Sequence, residues 1–143
     1  MTRFAVSALA LTLAMAGGAL AETHQVQMLN RSEAGPMAFE PAFLRIAPGD
    51  TVQFVATDRG HNAETIDGMI PAGAEGFTSR VGQEPEVTFT TDGVYGIRCT
   101  PHFAMGMVMT IVVGETTEAP ADFLEGRIPP RARARFEAQL GNL

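Results

Sequence analysis

The sequence has no lysine and no tryptophan, one tyrosine and one cysteine. Without lysine, all ten basic residues are arginine, set against sixteen acids for a net charge of −6. That balance excludes general nucleic-acid binding, which needs a basic footprint. A single thiol excludes an internal disulfide framework, so Cys99 has to serve through packing, reactivity or a metal. Beyond the first twenty residues no apolar run is long enough to span a bilayer.

That first stretch reads as an export signal. Arg3 makes a positive start, Phe4 to Ala16 is almost unbroken apolar sequence, and Gly17-Gly18 interrupts it before a small-x-small site at Ala19-Leu20-Ala21. The run is short for a membrane anchor. Residues 1–21 are therefore predicted to be a signal peptide cleaved after Ala21. This leaves one domain over residues 22–143, exported, without a membrane segment and with net charge −7 once Arg3 is gone. Oxidising compartments favour even numbers of cysteines. A lone thiolate persists there most easily when a metal holds it.

The centre of the chain alternates short apolar stretches with turns about every ten residues, the pattern of an all-β sandwich or barrel. Expected strands are His24 to Leu29, Ala42 to Ala47, Thr51 to Ala56, Glu86 to Thr90, Val94 to Cys99 and Met107 to Val113, with turns at Pro48-Gly49-Asp50 and Asp92-Gly93. From about residue 119 to 143 the pattern changes to two short helices, Ala119 to Glu125 and Pro130 to Leu140. The second is favoured by Pro129-Pro130 at its start and by Ala132, Phe136, Leu140 and Leu143 on one face. The pair is expected to dock on the sandwich as an appendage.

Chemistry concentrates between the last two strands, in Cys99-Thr-Pro-His102-Phe-Ala-Met-Gly-Met107. A thiolate, an imidazole and a thioether from one short loop suit copper cycling between Cu(I) and Cu(II), given a second histidine; His61 is the candidate. Residues at i and i+3 cannot share a metal from an extended strand, whose side chains alternate faces, but they can from the turn that Thr100-Pro101 supplies. Pro101 has no N–H to donate to the cysteine sulfur. Met105 would make the loop shorter and Met109 lies within the strand. Cleavage after Ala21 also places His24 third in the mature chain. There an α-amine, two backbone nitrogens and an imidazole offer a square-planar Cu(II) site.

Gly60-His61-Asn62, followed by the Cys99-to-Met107 loop 38 residues after the histidine, resembles the pseudoazurins of the cupredoxin family. Phe39-Glu40-Pro41, Pro48-Gly49-Asp50, Met69-Ile70-Pro71, Gly73-Ala74-Glu75 and the helical tail fit as well. The resemblance implies a cupredoxin-like Greek-key β-sandwich with one type 1 (blue) copper ion bound by His61, Cys99, His102 and Met107. It also implies that Asn62 links the two ligand loops. The implied role is periplasmic electron transport by a monomer that docks transiently on copper or haem nitrite reductase and related denitrification enzymes.

The same resemblance implies that the imidazole edge of His102 is the exit for the electron, inside an apolar patch of Pro101, Phe103, Met105 and Met37. Phe103 stands where many relatives carry tyrosine. Around that patch relatives carry lysines. Here Arg31, Arg59 and Arg98 take such positions, with Arg127, Arg131, Arg133 and Arg135 as further contributors and Arg80 more distant. Such clustered charge steers encounters with acidic partners. An alternative is a periplasmic copper chaperone without redox turnover, which a closed His/His/Cys/Met set disfavours. With three histidines in all, a second, catalytic copper cannot be furnished, so the chain is not expected to be an enzyme. Amicyanin or plastocyanin is disfavoured by the loop length and the tail.

Overall fold

The computed structural model describes residues 18–143, so most of the segment read as a signal peptide lies outside the described residues. Eight strands follow in order: β1 (Thr23–Ser32), β2 (Gly35–Glu40), β3 (Phe43–Ile46), β4 (Thr51–Val55), β5 (Glu64–Thr65), β6 (Glu86–Thr88), β7 (Gly93–Arg98) and β8 (Val108–Val113). They form two four-stranded sheets, ordered β2-β1-β4-β6 and β3-β8-β7-β5. Parallel pairs, β1 with β4 and β3 with β8, sit among antiparallel ones. That mixture requires chain crossings between sheets and is a sandwich, as the turn spacing predicts.

Period-two alternation decides which face turns inward. Val26 and Met28 of β1 are buried while Gln25 and Gln27 are exposed. Val52 and Phe54 of β4 and Phe39 of β2 join them, facing Ile46, Tyr95, Ile97, Met109, Ile111 and Val113 of the second sheet in one core. Aromatic edges run through it: Phe39 on Phe54 (6.0 Å), Phe77 on Phe89 (6.2 Å) and Phe89 on Tyr95 (5.0 Å). Each fully buried ring of this kind contributes about 2–3 kcal/mol of transfer free energy.

β8 is buried along its whole length. Its outer face, Val108 and Val112, is covered by Ala132 and Phe136 of helix α1 (Pro130–Leu140) and by Phe123. The one polar residue of the strand, Thr110, donates to Gln139 Oε1 (2.8 Å), and Gln139 Nε2 donates to the Val108 carbonyl (3.1 Å). Burial without a lost hydrogen bond is what lets an amphipathic helix dock here.

Two expectations are corrected. Residues 119–125 form turns rather than a helix, held by i to i−3 bonds from Phe123 to Pro120 and Glu125 to Asp122. Pro120 lacks a donor and Gly126 follows at once, so too few residues remain for α-helical bonds to propagate. The tail thus has one helix, not two. Two strands are additional to those expected, β2 and β5, and both lie at a sheet edge, where Pro36 of β2 is tolerated.

Candidate metal centre

The chain leaves β7 at Arg98 and enters β8 at Val108, and the nine residues between them bond back on themselves. The Cys99 N–H donates to the Met107 carbonyl (3.0 Å), the Met107 N–H to that of His102 (3.1 Å), and the His102 N–H to that of Cys99 (3.2 Å). Thr100–Met105 makes tight 3-10 turns with Pro101 in the first turn, where its missing donor costs nothing. Gly106 ends them at φ 91°, a left-handed conformation, and a side chain there would meet the Arg131 backbone at 3.2 Å. Cys99 and Met107 are fully buried.

His61 arrives from the loop between β4 and β5 and is 1% exposed. Its Nδ1 lies 3.7 Å from Cys99 Sγ and 3.1 Å from His102 Nδ1, while Cys99 Sγ and His102 Nδ1 are 3.5 Å apart. An ion about 2 Å from three donors in a trigonal plane sets them about 3.5 Å from one another. The three donor atoms therefore fit one metal ion without rearrangement. Among the described residues this is the one metal-capable group that includes a thiol.

The surroundings prepare these atoms to be ligands. His61 Nε2–H donates to Asn30 Oδ1 (2.8 Å), which leaves the lone pair on Nδ1, facing Cys99. Burial, and then the neighbouring His102, push the His61 pKa down, favouring the neutral ring a metal requires. Burial pushes the Cys99 thiol up, opposed by the amides of Asn62 and His102, which point at the sulfur. A cation is what would drive that proton off. Pro101 does remove one donor from the loop, yet the sulfur still faces these two N–H groups.

Asn62 ties the two loops together. Its Nδ2 donates to Thr100 Oγ1 (3.1 Å) and to the Ser79 carbonyl (3.1 Å), and its Oδ1 accepts from the Thr100 amide (2.7 Å). Behind Thr100, Glu64 is buried and accepts from Thr100 Oγ1 (2.7 Å) and Arg98 Nε (2.6 Å). Burial raises the Glu64 pKa, but those bonds together outweigh it and hold the carboxyl below its ordinary range. Asn30 and Glu64 carry no recognisable spacing to the candidate ligand residues, so sequence reasoning misses them, and it finds Thr100 only as part of the turn.

On the outer side, Pro101 and Met105 are exposed and His102, Phe103 and Met37 are half-buried. The Arg98 guanidinium stacks 5.2 Å over the Phe103 ring. Arg31, Arg59, Arg80, Arg127 and Arg131 are exposed. Arg135 is engaged elsewhere: it donates to the carbonyls of Met37 (2.6 Å), Gly106 (2.8 Å) and Pro36 (2.7 Å). Arg133 donates to that of Leu124 (2.5 Å). These two arginines build the fold around the site rather than decorate its surface. Met37 itself has φ 52°, uncommon for a side-chain-bearing residue, and Arg135 holds its carbonyl.

At the other end of β1 the square-planar arrangement that Glu22-Thr23-His24 can offer is not formed. Thr23 and His24 are extended strand paired with Thr51 and Val52, which spreads backbone nitrogens about 3.3 Å per residue along a line instead of around a point. The His24 ring is turned onto Asp50.

The family of copper-binding proteins of the plastocyanin/azurin type matches residues 26–114. A pseudoazurin from Paracoccus pantotrophus is 44% identical over 137 residues, covering 96% of this chain and 94% of the relative. One from Methylorubrum extorquens is 48% identical over 111 residues, 78% of this chain and 75% of the relative. The solved pseudoazurin of Methylobacterium extorquens AM1 superposes with a TM-score of 0.76 at 41% identity, over 84% of this chain and 98% of that one.

Proposed function

The chain belongs to the pseudoazurins, within the copper-binding plastocyanin/azurin family, and is a copper electron carrier rather than an enzyme; on that premise we propose that His61, Cys99, His102 and Met107 hold its single copper and that it works in the periplasm. The observation that carries the ligand assignment is the trio of donor atoms within 3.7 Å of one another, on two loops stapled by Asn62 and Thr100. Met107, fully buried and bonded through its backbone to both Cys99 and His102, is the fourth ligand. The signal peptide of residues 1–21, cleaved after Ala21, delivers the domain of residues 22–143 to that compartment.

Bound copper supplies a one-electron couple, Cu(II)/Cu(I). The protein's part is to keep donor positions the same in both states. The Cys99 N–H to Met107 bond, the Asn62–Thr100 pair and the Asn30 acceptor on His61 each restrain one ligand independently of the metal. A site whose atoms need not move reorganises little when charge changes. Burial of Cys99 keeps water and oxidants from the thiolate. That enclosure also argues against a chaperone, which must surrender its metal.

Electrons leave through His102, the half-buried ligand, amid Pro101, Phe103, Met105 and Met37. The partners are nitrite reductases and related denitrification enzymes, met transiently by a monomer, with Arg31, Arg59 and Arg98 at the margin of the patch. Visible absorption of the copper-loaded protein is the test. An intense thiolate-to-Cu(II) band that reductant bleaches and oxidant restores, absent in Cys99→Ser, is expected; a colourless, redox-silent protein overturns the assignment.

A further inference from the structure

Far from the copper loops, at the start of β1, an imidazole and two carboxylates converge. His24 Nε2 lies 2.9 Å from Asp50 Oδ2 and 3.9 Å from Glu22 Oε2. Asn30, which touches His61, is six residues further along the same strand, so this cluster lies about 20 Å from the copper site. One donor atom from each of the three residues lies within 4.8 Å of the other two.

The arrangement has the attributes of a built site. Asp50 is buried and its carboxylate is fixed by the N–H of Glu22 on Oδ1 (2.9 Å) and that of Ala47 on Oδ2 (3.0 Å). Those bonds, led by the Glu22 amide and followed by His24, hold its carboxyl below the ordinary range and keep it an anion at neutral pH. Its partner is an imidazole, not another acid, and β1 pairing with β4 fixes the backbone beneath both. Glu22 is exposed, so a change of side-chain rotamer toward the pair meets no packed neighbour. An ion about 2.1 Å from nitrogen and oxygen donors sets neighbouring donors about 3.0–3.5 Å apart, which the 2.9 and 3.9 Å separations bracket.

We propose that Glu22, His24 and Asp50 form a second metal site, for a divalent first-row transition ion at the pole opposite the copper. Imidazole with two carboxylates and no thiolate suits zinc and comparable ions. The ion takes the place of the proton shared by His24 Nε2 and Asp50 Oδ2. On the reading that the chain is processed after Ala21, Glu22 N becomes an α-amine already facing Asp50 and adds a nitrogen donor.

The test is calorimetric titration of zinc into copper-loaded protein that begins at Glu22, near neutral pH, with the blue band followed in parallel. One equivalent of zinc uptake with an unchanged band is expected. His24→Gln should weaken uptake by about tenfold or more while leaving the band unchanged. Glu22→Ala, at an exposed position, should weaken it less. No saturable uptake, uptake indifferent to His24→Gln, or uptake that bleaches the band by entering the copper site overturns the proposal. The band reports on the copper assignment separately, so the two readings fail in different ways.

Discussion

Thr100 and Asn62 bond to each other twice, Thr100 N–H to Asn62 Oδ1 at 2.7 Å and Asn62 Nδ2–H to Thr100 Oγ1 at 3.1 Å. No ladder joins the His61 loop to the Cys99 loop at this point, so a side-chain amide does what strand pairing does elsewhere. Both groups of the amide are used, and it is buried. Replacing Asn62 by Ala orphans the Thr100 amide and should cost about 1–3 kcal/mol in chemical denaturation, with a shifted reduction potential by voltammetry. Wild-type stability in that variant would remove the staple from the account.

Asn30 acts on one of the proposed ligands alone, His61. In Asn30→Ala the His61 Nε2–H loses its acceptor and the ring is free to turn. Copper affinity should fall about 10–100-fold, as for other partners of metal-bound histidines, measured by competition with a chelator. Asn30 is exposed, so the stability of the copper-free protein should change by less than about 1 kcal/mol.

Arg135 clamps three carbonyls from two distant segments, Pro36-Met37 and Gly106. Hydrogen bonds to a charged donor contribute about 1.5–3 kcal/mol each in favourable cases. Arg135→Gln should therefore lose at least about 2 kcal/mol, and hydrogen exchange should rise first around residues 35–38 and 106. Arg135→Lys should restore only part, because an ammonium cannot reproduce a planar fork reaching three acceptors.

Asp50 and Glu64 both have folded-state pKa values below their ordinary 3.8 and 4.5. A depressed carboxyl stabilises the fold above its unfolded-state value, and that contribution disappears as pH falls through the folded-state value. Wild type should thus lose stability below about pH 4, more steeply than Asp50→Asn or Glu64→Gln. The difference between wild type and each variant, read from thermal unfolding at a series of pH values, should be largest near neutrality and narrow in acid. A gap that widens in acid would contradict the sign.

Exposed Arg31 and Arg59 differ from Arg98, whose charge is balanced by Glu64 at 2.6 Å. The second-order rate of electron transfer to a copper nitrite reductase should fall as ionic strength rises. Arg31→Glu and Arg59→Glu should lower the rate and flatten its salt dependence, as loss of steering requires. Arg98→Ala leaves the Glu64 carboxylate without its partner and changes the net charge by one, so it should alter the salt slope by less than either charge reversal, which changes it by two. Stopped-flow rates over a range of salt concentrations decide this.

Local chemistry made much of this protein legible. The positions of β1, β3, β4, β6, β7 and β8 follow from period-two alternation and turn residues, and α1 from Pro129-Pro130 and one apolar face. Cys99, His102 and Met107 stand out because their donors fall close together in the chain, and His61 follows as the missing imidazole. Residues 119–125 mislead because helical composition without enough length cannot propagate. β2 hides because an edge strand tolerates Gly35 and Pro36.

The sequence by itself determined the all-β class, the donor types and their loop, since these depend on side-chain chemistry and on spacing within a few residues. Only the tertiary structure decided that Asn30 orients His61, that Glu64 backs Thr100, that Arg135 builds rather than docks, and that His24 faces Asp50. Each of those relationships joins residues 26 to 99 positions apart. Sheet pairing sets such distances by burying one face of every strand at once, and no local pattern records which partners that burial brings together.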